Sequence, residues 1–380
     1  MSRGAHTKVR SRKTMTQQPL IVHFIATLGF GGAERLLLEI CNRMSDEFRI
    51  AVFHLKDAAP MARLFHPDVR IEKTPFTPAT IRRLRHWISR EKPVVIHTHF
   101  GPSDFLGLLV GAGLGIPTFS TFHSVMIKHD WRDEIIFQLY RILYNTVSRK
   151  TRVLAISSGV AQLATGKMGI HPSRVSVLYN AVPDRKQTGL ARDIRKSLNI
   201  QPHDFVLIFV GRIIPLKGLM DLVSAFETVS VRIPESVLLI VGEGPQWPRI
   251  QSGIAAKGLA GKIRFVGRVD DPHPYLEASD VLVCPSHTEG FGMVVAEAFR
   301  AARPVVATRV DGLLELVVDG ETGLSCPAGN PDALAARIMT LHDDPDLAHR
   351  LATAGRNAFV ARFEMTRYIA LLKAHYGLQP

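Results

Sequence analysis

Short apolar runs alternate with amphipathic stretches along the first half of the chain. Runs such as "LIVHFIAT" and "PVVIHTH" are rich in β-branched residues, which is typical of buried strands. The stretches between them carry apolar residues three or four positions apart, as on one face of a helix. This alternation predicts βαβ units around a parallel sheet. The predicted strands cover 20–27, 49–55, 93–99, 116–122 and 152–157, and the predicted helices cover 33–44, 79–90, 104–113 and 132–149.

The second half of the chain repeats this alternation after a polar, mostly charged break near 181–203. The repeat predicts a second α/β domain, and a cleft between two such domains is a preferred place for a ligand. The predicted strands here cover 205–212, 236–244, 262–267, 281–286 and 304–308, and the predicted helices cover 218–232, 245–257, 273–279, 293–302 and 331–342.

The length of the chain agrees with this division. A chain of 380 residues exceeds what one hydrophobic core usually organises, so two domains are expected. Hydrophobic residues make up 46% and charged residues 21% of the chain, which is typical of a globular protein and excludes a disordered one. We predict domains over 20–183 and 184–362, preceded by a disordered basic arm over 1–19.

The three cysteines, Cys41, Cys284 and Cys326, are odd in number and none has the spacing of metal ligands. Cysteines used in this way are typical of a reducing compartment, where they act as small buried apolar residues. We therefore expect a cytoplasmic protein.

The net charge of +13 predicts an anionic partner, such as a phosphorylated ligand or an anionic membrane surface. Part of this charge lies in residues 1–13, which contain five cations and no acid. No run of interleaved basic and aromatic residues suggests a nucleic-acid platform, so nucleic acid is not the expected partner.

One uncharged stretch, 105–122, is just long enough to span a bilayer as a helix. It contains four glycines and a proline, and its last residues have the aromatic and β-branched character of a strand. A buried helix, a loop and a strand explain this stretch better than a transmembrane segment.

The stretch "HTEGFGMVVAEAF", 287–299, places two glutamates eight positions apart around a Gly-Phe-Gly turn. An apolar run precedes it and helical spacing follows it, so we predict a strand, a turn and a helix. Glu289 then lies at the turn and Glu297 about two turns into the helix. The carboxyl ends of parallel strands bind ligands in open α/β proteins. The alternative to a ligand site is that Glu289 only caps the helix and that Glu297 is a solvated glutamate on the helix surface.

Two glycine-containing loops follow predicted strands. In "FVGRIIPLKGL", Gly211 ends a buried run, and Arg212 and Lys217 follow before the next helix. Two cations beside a helix start suit a phosphate or a diphosphate, although ordinary surface cations are equally common there. In "FGGAER", Gly31 and Gly32 let the backbone approach a ligand, but they do not form the G-x-G-x-x-G dinucleotide fingerprint.

Three histidines end predicted strands: His97 and His99 in "HTHF", and His123 in "TFHS". They could be read as a zinc set, but no carboxylate or cysteine at ligand spacing joins them, so no metal is expected. The chain also has no G-x-S-x-G elbow and no G-x-x-x-x-G-K-[ST] loop, which excludes two common classes of site.

Taken in order along the chain, these motifs resemble those of a GT-B glycosyltransferase. More narrowly, they are similar to the large retaining family of nucleotide-sugar transferases often called family 4. The resemblance covers nearly the whole chain from about residue 20 and is carried by 31–35, 97–99, 121–123, Asn180, Gly211, Arg212, Lys217, Gly218, the "IVGEGP" segment, Glu289–Gly292 and Glu297.

The resemblance implies two Rossmann-like domains facing a cleft, with the nucleotide diphosphate sugar on the second domain and the acceptor on the first. It also implies that the last helical stretch, 363–380, packs back on the first domain. Asp311 stands where relatives often have glycine, and "NAV" at 180–182 replaces a more usual Asn-Gly turn.

The resemblance assigns roles to individual residues. Arg212 and Lys217 hold the diphosphate, which is electrostatic catalysis of leaving-group departure. Glu289 contacts the hydroxyls of the donor sugar and Glu297 those of the ribose. His123 corresponds to the active-site histidine near the donor sugar. Donor binding further involves Gly31, Gly32 and Gly211, together with backbone amides of the turn formed by Phe291, Gly292, Met293 and Val294.

The same resemblance implies a mechanism without a metal cofactor, because protein cations neutralise the leaving phosphate. The sugar is transferred with its anomeric configuration kept. No enzymic nucleophile can be identified in the sequence, so we expect attack on the same face, guided by the leaving phosphate.

The donor and acceptor are less defined by the resemblance. We expect a UDP-sugar donor and a glycan or polyprenyl-diphosphate-linked acceptor, as in bacterial surface polysaccharide or glycoconjugate synthesis. The basic segment 80–92, with Trp87 among arginines, is either an ordinary amphipathic helix or a membrane-contacting one. A peripheral enzyme at the inner face of the membrane is the corresponding expectation. Two alternatives remain: an epimerase or phosphorylase with the same fold, or a basic scaffold that binds membrane or nucleic acid.

Overall fold

The structure of the protein is a computed structural model that describes residues 18–57, 59–99, 101–123 and 131–378. Residues 1–17 of the predicted basic arm lie outside the described residues. The chain divides into two compact units. The first comprises residues up to 155, 161–178 and those from 369 onward, and the second comprises 156–160 and 179–368.

The first unit is built on a sheet of seven strands in the order β3-β2-β1-β4-β5-β6-β7, and all neighbouring strands are parallel. β1 and β4 are buried along their whole length, although β1 contains His23 and β4 contains His97, Thr98 and His99. The strands are β1 Leu20–Ile25, β2 Arg49–His54, β3 Arg70–Lys73, β4 Val95–His99, β5 Thr118–Phe122, β6 Arg152–Ala155 and β7 Val175–Val177.

Helices cover this sheet with their apolar faces. The helix Gly32–Met44, for example, buries Leu36, Leu37, Ile40 and Met44, which recur at helical spacing. The main helices of the first unit are Gly32–Met44, Pro78–Glu91, Pro102–Gly111 and Trp131–Ile142, and the last helix, Met365–Tyr376, joins this unit from residue 369.

The second unit is built on a parallel sheet of six strands in the order β10-β9-β8-β11-β12-β13. The strands are β8 Phe205–Val210, β9 Ser236–Val241, β10 Ile263–Gly267, β11 Val281–Cys284, β12 Val305–Thr308 and β13 Leu324–Cys326. Its helices are Ala191–Ser197, Leu219–Arg232, Trp247–Ala256, His273–Glu277, Met293–Arg300, Leu313–Leu316, Pro331–Asp343 and Pro345–Ala358.

Each sheet has a point where the strand order reverses, and this feature positions the functional loops. In the second unit the reversal falls between β8 and β11, which are paired directly. Because both strands run the same way, the loops at their carboxyl ends, 211–218 and 285–292, lie next to each other. Ligands of open α/β sheets bind at such a switch point.

A half-buried carboxylate holds the short segment 156–160 to the second unit. The Glu315 carboxylate accepts hydrogen bonds from the amide of Ser158 at 2.7 Å, from its hydroxyl at 2.9 Å and from the Tyr179 hydroxyl at 2.8 Å. Two of these donors belong to the start of the helix Ser158–Gln162, where an anion is favourable. This contact explains why 156–160 clusters with residues far along the sequence.

The observed elements agree with most of the predicted ones, with differences at short or polar segments. The predicted helix 132–149 ends as an α-helix at Ile142 and continues as a π-helical turn to Val147. The strands β3, β7 and β13 were not predicted; each is short and lies at the edge of its sheet. The helix Ala191–Ser197 lies inside the polar break, and the helix Pro345–Ala358 was also missed.

The uncharged stretch 105–122 folds as predicted, into the end of the helix Pro102–Gly111, a loop and β5. Gly107 lies in this helix where a Cβ would come within 2.4 Å of the Thr98 side chain, so the helix packs closely on β4. Within the described residues, no helix is long and apolar enough to cross a membrane. The three cysteines are free and buried, as predicted.

Candidate active site

The loops after β8 and β11 bring together the cation and the carboxylate predicted from the sequence. The Lys217 ammonium donates a hydrogen bond to the Glu289 carboxylate, although the two residues are 72 positions apart. The amide of His287 also donates to the carbonyl of Leu216 at 2.8 Å, which ties the backbones of the two loops together. The ammonium has three donors, so it can hold Glu289 and an anion at the same time.

Two glycines permit this close approach of the loops. Gly218 has φ +64°, and a Cβ there would lie 1.9 Å from the carbonyl oxygen of Pro285. Gly292 has φ +95°, and a Cβ there would lie 2.5 Å from the Leu313 side chain. Both positions therefore require glycine for conformation and for space. Gly211 has no comparable close contact, since a Cβ there would meet the Phe209 ring at 3.5 Å.

The helix Met293–Arg300 starts directly after the Gly-Phe-Gly turn. Its first amides, those of Met293 and Val294, have no acceptor within the helix, and this end of a helix attracts anions. Phe291 contributes to such a site through its backbone only, because its ring is 2% exposed and packs against Phe363. The turn thus presents polar backbone groups beside the Lys217–Glu289 pair.

Glu297 lies closer to the start of this helix than predicted. It is the fifth residue of the helix, in the second turn, and it is half-buried. The helix begins at Met293, as predicted, so Glu297 lies little more than one turn into it and not about two. Arg212, in contrast, is exposed on the loop after β8.

A second loop, 310–312, supports the turn that carries Glu289. The amide of Gly312 donates to the carbonyl of Glu289 at 3.0 Å, and the Thr288 hydroxyl donates to the Asp311 carboxylate at 3.0 Å. A Cβ at Gly312 would lie 2.3 Å from the carbonyl oxygen of Gly290. Asp311 itself has φ +23°, within the region that favours glycine. Gly312 and Thr288 were not predicted as site residues, although the Asp-Gly pair after β12 is a recognisable turn signal.

The remaining predicted site residues belong to the first unit. Gly31 precedes the helix that begins at Gly32, and its extended φ of −122° makes no special demand for glycine. His123 follows β5. Gly31 and Gly32 thus follow the carboxyl end of β1, at a helix start, and His123 follows the carboxyl end of β5, at a loop.

His123 is half-buried and ends a chain of imidazoles whose other members are buried, which the sequence did not reveal. Its Nε2 lies 3.0 Å from His99 Nδ1, and His99 Nε2 lies 3.2 Å from His23 Nδ1. Within the described residues, His23 Nε2 and His123 Nδ1 have no hydrogen-bond partner. His23 was missed because it lies inside the first strand and not at its end. Its pairing with His97 across β1 and β4 is the register that brings the rings together.

Burial keeps these histidines neutral at neutral pH. It lowers the pKa of His23 to about 3 and that of His123 to about 4, and it lowers the pKa of His97 and His99 well below the usual value. A neutral imidazole has one donor and one acceptor nitrogen, so the tautomer of one ring constrains the next. His123 Nδ1 can therefore act as donor or acceptor, depending on the direction of the chain.

The histidines also form a geometric candidate for a metal site. Nitrogens of His23, His97 and His99 lie within 4.8 Å of one another, so the candidate set contains His23 in place of the His123 considered from sequence. Both nitrogens of His97 are already used, by the Tyr376 hydroxyl at 2.5 Å and the Thr121 hydroxyl at 2.7 Å. Its ring also stacks on His99, with centroids 4.6 Å apart. These contacts fit a hydrogen-bonded cluster better than a metal centre.

Because the buried histidines are neutral, we expect the free energy of unfolding to fall as the pH is lowered. Their folded pKa values lie below the unfolded value of about 6.5, so the unfolded chain binds protons that the folded chain excludes. The contribution of these histidines to the free energy of unfolding is fully present above about pH 6.5. Between about pH 6.5 and 4 this free energy decreases by up to about 1.4 kcal/mol per pH unit for each histidine. We expect Tm to fall steeply in this range when it is measured by differential scanning fluorimetry.

The variant His123→Gln should make this fall shallower, because one titrating group is removed. His203→Gln is the matched control, since the side chain of His203 is 71% exposed. A Tm that is constant from pH 7.5 to 5 would contradict the assignment of neutral buried histidines.

Of the two interpretations of the segment 80–92, its contacts within the first unit favour an ordinary amphipathic helix. Trp87 is half-buried against the core, with its ring 5.4 Å from that of Phe53. Arg85 donates to the carbonyls of Leu109 at 3.0 Å and Ala112 at 2.8 Å, at the end of the helix Pro102–Gly111. This helix therefore uses Trp87 and Arg85 in packing and capping, which the basic composition of 80–92 concealed.

Two parallel α/β sheets, each with a strand-order reversal, define the GT-B class, and the comparisons with known proteins agree. The family model "Glycosyltransferase Family 4" matches residues 30–186, and "Glycosyl transferases group 1" matches residues 191–358. The D-inositol 3-phosphate glycosyltransferase 2 of Catenulispora acidiphila is 31% identical over 71% of this chain and 67% of its own length. The chain belongs to the group 1/family 4 GT-B glycosyltransferases.

Two further known proteins are similar to this chain. The N-acetyl-alpha-D-glucosaminyl L-malate synthase of Bacillus anthracis is 24% identical over 80% of this chain and 79% of its own length. The structure of Anabaena Alr3699/HepE in complex with UDP has a TM-score of 0.83, with 20% identity, and covers 94% of this chain and 99% of that one. The structure of the same Anabaena protein in complex with UDP-glucose has a TM-score of 0.82, with 20% identity and the same shares of the two chains. The chain is thus a glycosyltransferase with the GT-B fold.

Proposed function

We propose that the enzyme transfers a sugar from a nucleotide diphosphate sugar, with a UDP-sugar favoured, and that the donor binds at the loops after β8 and β11. The observation that carries this proposal is the Lys217–Glu289 pair beside the first amides of the helix Met293–Arg300. A cation, a carboxylate and free amides at one sheet edge suit a ligand that has both phosphates and sugar hydroxyls. The UDP and UDP-glucose complexes of the Anabaena protein support the choice of nucleotide.

In this proposal each group has a distinct task. Arg212 and Lys217 bind the diphosphate and stabilise the negative charge that develops on it as the sugar leaves. Glu289 accepts hydrogen bonds from the donor sugar, and Glu297 accepts them from the ribose. The amides of 291–294 bind the outer phosphate, and His123 contacts the donor sugar.

The reaction proposed is a substitution with retention of configuration. The bond between the anomeric carbon and the phosphate oxygen breaks, and the acceptor hydroxyl forms the new glycosidic bond on the same face. The hydroxyl proton passes to the leaving phosphate oxygen, so the products are the glycoside and the nucleoside diphosphate. No residue of the chain acts as a covalent nucleophile in this scheme.

We expect transfer to survive excess EDTA, because Arg212 and Lys217 supply the positive charge that a metal supplies in other transferases. The measurement is the rate of nucleoside diphosphate release with and without chelator, after dialysis against it. Activity that is lost and then restored only by a divalent ion would contradict this prediction and direct attention to the histidine cluster.

The acceptor is proposed to be a glycan or a polyprenyl-diphosphate-linked sugar, in the synthesis of bacterial surface polysaccharide or glycoconjugates. The names of two relatives refer to inositol phosphate and to malate, so enzymes of this family use chemically different acceptors. The free, buried cysteines support a cytoplasmic location for this work.

A donor screen tests the proposed function. UDP-, GDP- and ADP-sugars are incubated with the enzyme, and hydrolysis to free sugar and nucleoside diphosphate is measured. We expect one UDP-sugar to be hydrolysed slowly in water and rapidly consumed with an acceptor. Formation of an epimer of the donor sugar, or of a sugar phosphate with inorganic phosphate, would replace the proposal by an epimerase or a phosphorylase.

A further inference from the structure

The helix Trp131–Ile142 of the first unit exposes large apolar side chains. Ile135 is 50% exposed, Leu139 47% and Ile142 56%, and these three residues recur at helical spacing. Ile136, beside this row, is 43% exposed, and Val147 in the following turn is 44% exposed. We call Ile135, Ile136, Leu139, Ile142 and Val147 the apolar stripe.

The apolar stripe is not the face by which this helix packs on its own unit. Phe137 and Tyr140, on the opposite side, are 3% and 4% exposed and form the core contact. The helix is therefore apolar on two sides, and one of them is covered. A contiguous exposed patch of this kind marks an interaction surface more often than chance.

The charge around the apolar stripe identifies the class of partner. From residue 135 to residue 183 the chain has no aspartate or glutamate, whereas it has six cations: Arg141, Arg149, Lys150, Arg152, Lys167 and Arg174. Arg174 is used inside the unit, where it donates to the carbonyls of Tyr144 and Ser148.

The other cations are placed differently. Arg141, Arg149, Lys150 and Lys167 are exposed. Of these four, only Arg141 has a polar contact within the described residues, to the Gln138 side chain at 3.0 Å. The nearest acids along the helix, Asp133 and Glu134, lie at its other end. The π-helical turn Leu143–Val147 also contacts the segment that contains Lys167, because the side-chain amide of Asn145 donates a hydrogen bond to the carbonyl of Met168 at 2.9 Å. Lys167 therefore lies close to the apolar stripe.

We propose that the apolar stripe and its cations dock the enzyme on an anionic membrane surface. Apolar side chains of an interfacial helix enter the boundary between headgroups and acyl chains, and nearby cations each add about 1 kcal/mol with anionic lipid. A second copy of the chain fits less well, because a two-fold interface through the stripe would bring the same cations together. This inference rests on the proposed function, since it places the acceptor on a lipid.

Co-sedimentation of the full chain with vesicles tests the docking. We expect binding to vesicles that contain phosphatidylglycerol, release in high salt, and weak binding to pure phosphatidylcholine. The triple variant Ile135→Ser, Leu139→Ser and Ile142→Ser should lower the fraction bound at least about tenfold. Arg149→Glu with Lys150→Glu should lower it mainly in low salt, where charge is least screened.

Val231→Ser is the matched control, because Val231 is 80% exposed on a helix of the second unit and lies outside the apolar stripe. It should leave binding unchanged. Since all the substituted side chains are exposed, the variants should keep the wild-type Tm. Hydrolysis of a soluble UDP-sugar should also be unchanged, which separates failure of docking from failure of the proposed function.

Three results would overturn the inference. Equal recovery with neutral and anionic vesicles would remove the role of the cations. Binding that survives the triple variant but is lost when residues 1–14 are deleted would assign it to the arm. A wild-type dimer in sedimentation velocity that becomes a monomer in the triple variant would make a second copy the occupant.

Discussion

The variants Arg212→Ala and Lys217→Ala each lower the rate of sugar transfer at least about a hundredfold, because a preorganised charge that stabilises a leaving group is worth about 3 kcal/mol. Lys217 has the larger expected effect of the two. Its ammonium also pairs with Glu289, so its removal leaves that carboxylate unpaired where it would face the phosphates. The measurement is kcat and KM for the donor, by release of nucleoside diphosphate.

Lys257→Ala is the matched control for this prediction. Lys257 also forms an ion pair with a glutamate, Glu227, in the second unit, but this pair joins the second half of the helix Leu219–Arg232 to the end of the helix Trp247–Ala256 and involves neither the loop after β8 nor the loop after β11. Its removal should leave turnover unchanged. Near-normal turnover in Lys217→Ala, or an equal loss in Lys257→Ala, would refute the role assigned to the cation.

The second large effect is expected from Gly218→Ala. The Cβ would lie 1.9 Å from the carbonyl oxygen of Pro285, and this neighbour is backbone that cannot rotate away. The loop after β8 must then move away from the loop after β11. We expect a loss of stability of about 3 kcal/mol or more, as for other strained or overpacked sites, together with a loss of transfer. Chemical denaturation and kcat measure the two effects.

Gly258→Ala separates the two causes of this effect. Gly258 has φ +67°, almost the same as the +64° of Gly218, but a Cβ there would meet nothing within 4 Å. Gly258→Ala should therefore lower the free energy of unfolding only by the cost of placing alanine in the left-handed region, about 1 to 2 kcal/mol, and should leave the rate of transfer unchanged. Equal destabilisation by the two substitutions would show that the contact with Pro285 carries no special weight.

The fold could be predicted from the sequence because its strands are buried on both faces. Strands such as β1 and β9 are continuous apolar runs, and the helices between them have one clear apolar side. The strands that were missed are short, and β3, "RIEK", is polar because it lies at the edge of its sheet. Local pattern carries little information about such edges.

The site could be predicted only where a motif is contiguous. Glu289 and Glu297 lie in one strand-turn-helix segment, so the sequence alone predicts that both lie near the turn. The contact of Lys217 with Glu289 depends on the pairing of β8 with β11, which the sequence does not state. His23 was missed for the same reason, since its contact with His99 depends on strand order in the first sheet.

The role of basic surface segments was the least predictable property. Composition left 80–92 open to an ordinary amphipathic helix or a membrane-contacting one, and the contacts of Arg85 and Trp87 within the first unit favour the ordinary helix. The exposed apolar stripe lies instead on a helix whose sequence, "WRDEIIFQLYRI", looks like an ordinary core helix. Only the structure distinguishes which of its two apolar sides is covered.

Isothermal titration of the wild-type enzyme with UDP, in the presence of EDTA, tests the central claim most directly. The account predicts binding of one UDP per chain, with loss of this binding in Lys217→Ala and unchanged binding in Lys257→Ala. If UDP does not bind, or binds equally well to Lys217→Ala, the nucleotide-sugar site proposed at the loops after β8 and β11 is contradicted.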